Sequence, residues 1–224
     1  MSLTRILLAG VALALASTAA NAVVVTTLTV NNPSFETAPG GGFPLTGGCA
    51  FQPGCHYEYG SVPGWITTGR FTGEWQPGTS THFFNTPGGQ DGSTVGFTAG
   101  GAITQTLSQT SVGGELYTLT VWEGWRKDQG MPANTVELIV NGVPTIATGA
   151  GLTQGNWTEF TATYLAPASG SLIEISLANH GGQGDFDHIT LTQTELPEPA
   201  TWALMLVGFG GLGAALRRRQ TRLA

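Results

Sequence analysis

The sequence predicts an all-β protein, two antiparallel sheets packed face to face as a sandwich. Three observations carry that reading. Glycine supplies 34 of 224 residues, and the runs between glycines are crowded with Val, Thr and Ile, a pattern of short strands joined by tight turns. Only 10% of the chain is charged against a usual level of about 25%, which removes charge-rich helical and coiled-coil classes. Several of those runs also alternate apolar and polar side chains, as half-buried strands do.

The strands follow in order. Residues 23–30 are a β-branched run, and 93–97 and 102–107 are short apolar stretches. Residues 115–123 (ELYTLTVWE) alternate, putting Tyr117, Leu119 and Val121 on one face and Thr118, Thr120 and Trp122 on the other. Residues 135–140 lead through Asn141-Gly142 into 143–148, a two-residue hairpin signal. Residues 156–164 share a face through Phe160, Ala162 and Tyr164, 171–178 through Ile173, Ile175 and Leu177, and 185–192 through Ile189 and Leu191, with Asp187 at the same parity and so expected toward the core. Eight or nine such strands close into a sandwich around one core. Residues 31–92, rich in Gly and Pro, are too long for a simple connection and read as decoration or function.

The formal charge of −6 conceals an asymmetry. Between Val23 and Leu196 there are 13 acidic residues against Arg70, Arg126 and Lys127, a net of −10. Such a surface repels phosphate backbones, so nucleic acid is excluded as a partner. The remaining basic residues belong to the ends. Residues 1–22 join Arg5, an apolar stretch and Ala20-Asn21-Ala22, the pattern of a secretory signal peptide cut after Ala22. At the other end Pro197-Glu198-Pro199 precedes an apolar segment at 202–216, then Arg217-Arg218-Arg219 in a basic tail at 217–222. Fifteen apolar residues cover roughly 22 Å as a helix, short of a comfortable span. The arginines would hold that end in the cytoplasm with the acidic body outside. A permanent anchor and a temporary one are both compatible with this.

These C-terminal features together resemble the PEP-CTERM sorting signal of Gram-negative bacteria. The resemblance implies an exosortase-type processing enzyme as partner, transient residence at the inner membrane, and then release or attachment at the cell surface or extracellular matrix. For an exported chain, Cys49 and Cys55 read as a disulfide sooner than as a metal site or free thiols. The chain therefore divides into a signal peptide at 1–22, a sandwich at 23–194 and a sorting signal at 195–224.

Asn31-Asn32-Pro33-Ser34-Phe35-Glu36, Val62-Pro63-Gly64-Trp65 and Gly184-Asp185-Phe186-Asp187-His188-Ile189 are together similar to segments of the galactose-binding-like jelly roll, a fold that includes many carbohydrate-binding modules. The resemblance implies a structural calcium ion where the first and last strands meet. Glu36, Asp187 and Asn32 are the residues that would hold it, with hydrogen bonding of Asp187 to loop amides as the metal-free alternative. It also implies a core position for Trp65.

A sugar site needs flat aromatic faces and planar polar groups. Residues 121–128 (VWEGWRKD) offer both, and Trp125 and Arg126, then Trp122 and Glu123, are the expected contacts, with plain packing of both tryptophans as the alternative; Trp75 with Glu74, and Tyr57 and Tyr59 near the cysteines, come after them. Catalysis finds little support. The four histidines are scattered, no nucleophile motif is present, and Glu123 with Asp128 or Asp185 with Asp187 are pairs by composition only. The expectation is an exported, non-catalytic protein that binds or organises exopolysaccharide, against a purely structural matrix component or, third, a glycan-active enzyme.

Overall fold

The computed structural model describes residues 23–196 and a short helix at 206–212. The signal-peptide site Ala22, the triplet Pro197-Glu198-Pro199 and the arginines 217–219 lie outside the described residues. Among the described residues no helix is long and apolar enough to cross a membrane. Residues Val25–Glu195 form one compact unit.

That unit is an antiparallel sandwich of thirteen strands: β1 (Val25–Thr27), β2 (His56–Tyr59), β3 (Ile66–Thr68), β4 (Thr72–Gln76), β5 (Val95–Thr98), β6 (Gly101–Thr110), β7 (Leu116–Gly124), β8 (Asn134–Val140), β9 (Val143–Ile146), β10 (Thr148–Gly149), β11 (Trp157–Leu165), β12 (Leu172–Asn179) and β13 (Gly184–Thr194). The larger sheet runs β10-β11-β7-β13-β5-β4-β2, with β1 also paired to β13, and the smaller runs β3-β6-β12-β8-β9. The Asn141-Gly142 hairpin forms as its sequence requires. Both residues take positive φ, 54° and 73°, and Val140 pairs with Val143, the backbone twist that a two-residue turn between strands demands.

Strand parity decides what fills the space between the sheets. Tyr117, Leu119 and Val121 of β7, Ile173, Ile175 and Leu177 of β12, and Leu191 of β13 are all fully buried there, joined by Val136, Leu138 and Val140 of β8. Trp65 stacks on Phe35 at the same core, ring centroids 5.8 Å apart, and its indole N–H donates to the Asn32 carbonyl at 3.2 Å.

Two sequence expectations are corrected. The first strand is three residues long, not eight: Leu28 makes a last bond to the Leu191 carbonyl at 2.8 Å, and the chain beyond it turns off toward Asn32, at φ of 48°. The stretch 31–92 is not irregular throughout: it contributes β2 and β4 to one sheet and β3 to the other. Their segments, HYEY, ITT and TGEWQ, are short and mix polar with aromatic residues, so no alternation marks them in the sequence. With its loops, and with Val95 and Phe97 of β5, this stretch builds a second apolar cluster that also holds Trp75, Phe83, Phe84 and the two cysteines, on the face of the larger sheet that looks away from the main core.

Each fully buried aliphatic side chain of the main core stabilises by roughly 1.5–3 kcal/mol. Ile175→Ala, at 0% exposure on the central strand of the smaller sheet, is expected to cost about 2–5 kcal/mol, a shift in urea midpoint without a change in slope.

Candidate functional site

The outer face of the larger sheet is organised around Asp185. Register places Tyr59, Gly73, Phe97, Asp185, Gly124 and Trp157 side by side across β2, β4, β5, β13, β7 and β11. Trp75 and Val95 occupy the neighbouring row. The carboxyl of Asp185 is fully buried beneath these rings. Its Oδ1 accepts the Trp75 indole N–H at 2.8 Å and the Gln183 amide N–H at 2.9 Å, while Oδ2 has no hydrogen-bond partner among the described residues. Burial pushes the Asp185 carboxyl up to about 7, against the opposing pull of Arg126.

Arg126 completes the arrangement. Its guanidinium lies over Trp75 and Phe83, 4.6 Å and 4.4 Å from the ring centroids, an attraction of the cation for the ring faces. Nε and Nη2 donate to the two oxygens of Asp128 at 2.9 and 2.6 Å, and Nη1 donates to the Gln183 carbonyl oxygen at 2.9 Å. Gln183 thus links Arg126 to Asp185 through its two amide atoms.

Above this polar chain lies a small hollow of about 50 Å³ bordered by Tyr57, Tyr59, Trp75, Phe97, Arg126 and Gln183, and closed on one side by Gly48 and Cys49. Tyr57 and Tyr59 meet edge to face at 5.1 Å and Tyr59 touches Phe97 at 5.7 Å. The expected Cys49–Cys55 disulfide is formed, with the Cα atoms 5.5 Å apart. Half-buried rings, planar amide and guanidinium groups and a rigid rim suit a ligand with an apolar face and hydroxyl groups. Room for one or two water molecules is room for a hydroxyl-bearing edge, not for a whole sugar ring.

Of the four contacts expected from residues 121–128, only Arg126 borders this hollow. Trp122 is half-buried on the same sheet face but opposite Asp187 and Glu159. Glu123 points the other way, buried between the sheets, where Asn134 donates to it at 2.8 Å and burial raises its carboxyl to about 7. Trp125 is half-buried with its indole N–H donating to the Gln129 carbonyl at 3.1 Å. Tyr57, Tyr59 and Trp75, which the sequence offers only behind the 121–128 segment, all border the hollow; the aromatic run HYEY directly after the second cysteine is the signal for the two tyrosines. Sequence reasoning missed Phe97 and Gln183, and no local pattern marks them.

Asp187 is also corrected. The pairing of β13 with β7 slips between Asp187 and Thr190, and His188 takes φ of 47°. This bulge reverses parity, so Asp187 lies opposite Trp122 on the outer face while Ile189 and Leu191 remain in the core. Its Oδ2 accepts the Asp91 amide at 2.8 Å and its Oδ1 the His188 amide at 2.7 Å. Glu36 grips the same 88–94 turn, its Oε1 accepting the Ser93 and Thr94 amides, both at 2.7 Å. Gly92 is required there: at φ +83°, any Cβ would also collide with the Glu36 carboxylate. Asn32 is spent elsewhere, its amide donating to Glu74 at 2.9 Å and its oxygen accepting from the Thr37 amide at 3.0 Å. The oxygens expected to hold calcium therefore face N–H donors, and among the described residues no group of three or more His, Cys, Asp or Glu is placed to hold a metal ion. The three residues fit a clamp of carboxylates on backbone amides and do not fit an ion cage, so no function is derived through calcium.

The fold and the hollow define a class, an all-β sandwich of jelly-roll type with a loop-roofed pocket on one sheet. Within that class the chain belongs to the HpiC1-like family, whose model, described as HpiC1 cyclase, matches residues 26–192. Residues 195–219 match the PEP-CTERM protein-sorting motif, which marks the chain for export and sorting to the cell envelope. Among solved structures, the apo form of a cyclase from Fischerella sp. is similar at TM-score 0.62 and 21% identity, covering 78% of this chain and 98% of the other. That likeness is one of fold. A xylan-binding domain from Paenibacillus barcinonensis is fainter, at TM-score 0.43 and 15% identity over 66% of this chain and all of the other. So is a module solved with β-1,4-galactotriose, at 0.44 and 15% over 74% and 98%. No curated protein matches the chain.

The buried carboxyls give the fold a pH signature. Asp185, Asp187 and Glu123 are each raised to about 7 and Glu74 to about 8, all chiefly by burial. A carboxyl that holds its proton more tightly when folded stabilises most fully below its unfolded value near 4, and that contribution is lost as pH climbs through the folded value. The fold is therefore expected to be firmer at pH 5 than at pH 8 in urea titrations. Asp185→Asn, a neutral near-isostere, should shallow that slope and gain about 1–3 kcal/mol at pH 8.

Proposed function

We propose that the mature protein is a surface or matrix component that binds extracellular polysaccharide through the hollow over Asp185, after an exosortase-type enzyme has removed its C-terminal segment. The observation that carries this reading is the pairing of half-buried rings, Tyr57 and Tyr59, with the planar polar groups of Arg126 and Gln183 at one hollow. Rings take the apolar face of a pyranose and the amide and guanidinium groups take its hydroxyls. A net charge of −10 over 23–196 disfavours strongly acidic polymers and favours neutral ones.

Membership of a family described as a cyclase supports a second reading, in which a neutral Asp185 gives its proton to a C=C bond of an apolar substrate. In that reading a second C=C attacks the resulting cation to close a ring, and the carboxylate takes a proton back, an isomerisation with no net proton change. The position of the acid weighs for binding. Asp185 is fully buried and does not border the hollow; Trp75 and Gln183 stand between.

Two outcomes test the first reading. Residues 23–196 should be retarded in native gels containing neutral polysaccharide, and Tyr59→Ala should weaken retention by tenfold or more; equal retention would contradict it. The second reading instead requires a cyclised product whose formation stops in Asp185→Asn. Mass spectrometry of the mature protein should find a C-terminus near Pro199, and an intact Ala224 would oppose removal of the tail.

A further inference from the structure

The Cys49–Cys55 disulfide stands between two hollows. Cys49 closes one side of the small hollow over Asp185 and also borders a wider one of about 410 Å³, whose wall includes Thr46, Phe51, Gln52, Cys55 and His56. The small hollow admits a hydroxyl-bearing edge; the wide one has room for a whole ring.

Phe51 is the unusual residue of this rim. At the tip of the disulfide ring it is completely exposed, 104% of a free side chain, where the other aromatics around the ring are packed. It and Ala50 both take left-handed backbone angles, φ of 60° and 48°. Such angles cost on the order of 1–3 kcal/mol per non-glycine residue and persist only where the surroundings impose them. The surroundings do so here. Besides the disulfide, Leu45 and Tyr57 exchange two backbone hydrogen bonds at 3.1 and 2.9 Å, Ser80 Oγ donates to Gln52 at 2.7 Å, and the Thr79 amide donates to the Pro53 carbonyl at 3.1 Å. With the backbone beneath it fixed, the exposed phenyl ring has only its two side-chain torsions to order on meeting a ligand, and Tyr57 ties its mounting directly to the small hollow.

We infer that the two hollows are adjacent subsites of one cleft, the ring of Phe51 being the platform for the sugar unit next to the one seated over Arg126 and Gln183, so that the site reads a chain of at least two units and not a single sugar. This rests on the polysaccharide reading above and adds the length of ligand that the site requires.

The test is calorimetric titration of residues 23–196 with β-1,4-linked glucose, xylose and galactose ladders of one to six units. Affinity for the ladder that binds should rise tenfold or more between one unit and three, which is about 1.4 kcal/mol. Phe51→Ala should keep the single-unit affinity and lose the rise, and Phe51→Trp should retain it. Equal trisaccharide affinity in Phe51→Ala and the unaltered protein, or no rise with length, overturns the two-subsite inference while leaving sugar binding in place. Failure of every ladder to bind overturns the polysaccharide reading and this inference with it.

Discussion

Burying a carboxyl group on the outward face of a sheet is the constraint around which this domain is arranged. Asp185 cannot sit dry beneath aromatic rings without cost, and the chain meets that cost from both sides. Trp75 and Gln183 donate to one oxygen, and burial shifts the group toward its neutral form. Everything above Asp185 follows from needing a roof: the segments flanking β2 and β4 supply Phe83, Phe84 and the disulfide ring, and Arg126 caps the rings with a charge already neutralised by Asp128.

The sandwich has two apolar bodies with different duties. The core between the sheets is mainly aliphatic, with Phe35, Trp65, Tyr117 and Phe186 among its members, is centred on β7, β12 and β13, and sets stability. The outer cluster is aromatic and interrupted by polar groups, and it sets the shape of the hollow. The carboxylate clamp of Glu36 and Asp187 on the 88–94 turn fixes the start of β5, the strand that carries Phe97 into that cluster. A motif beside the first strand and one on the last are thereby joined mechanically.

What was legible in the sequence is what local rules govern. Parity grouped Leu119 with Val121, and Ile173 with Ile175 and Leu177, on single strand faces that prove to be the core faces, turn chemistry located the Asn141-Gly142 hairpin, and export made a disulfide of Cys49 and Cys55. The C-terminal resemblance was equally readable because its parts are contiguous. The site was not, since its defining contact joins Trp75 to Asp185 across 110 positions, and no local pattern announces such a meeting. Asp187 was misassigned for a related reason. A bulge moves one residue out of register and turns every earlier side chain of the strand to the opposite face, and His188 gives no sign of it.

The Trp75 indole N–H, whose resonance reports its bond to Asp185, is the most direct probe of where ligand sits. In NMR spectra of the ¹⁵N-labelled domain titrated with a retained polysaccharide, that signal should move progressively while the indole signals of Trp122 and Trp125 stay in place. Movement confined to Trp122 and Trp125, with Trp75 unchanged, would contradict the placement of the site beneath the disulfide ring.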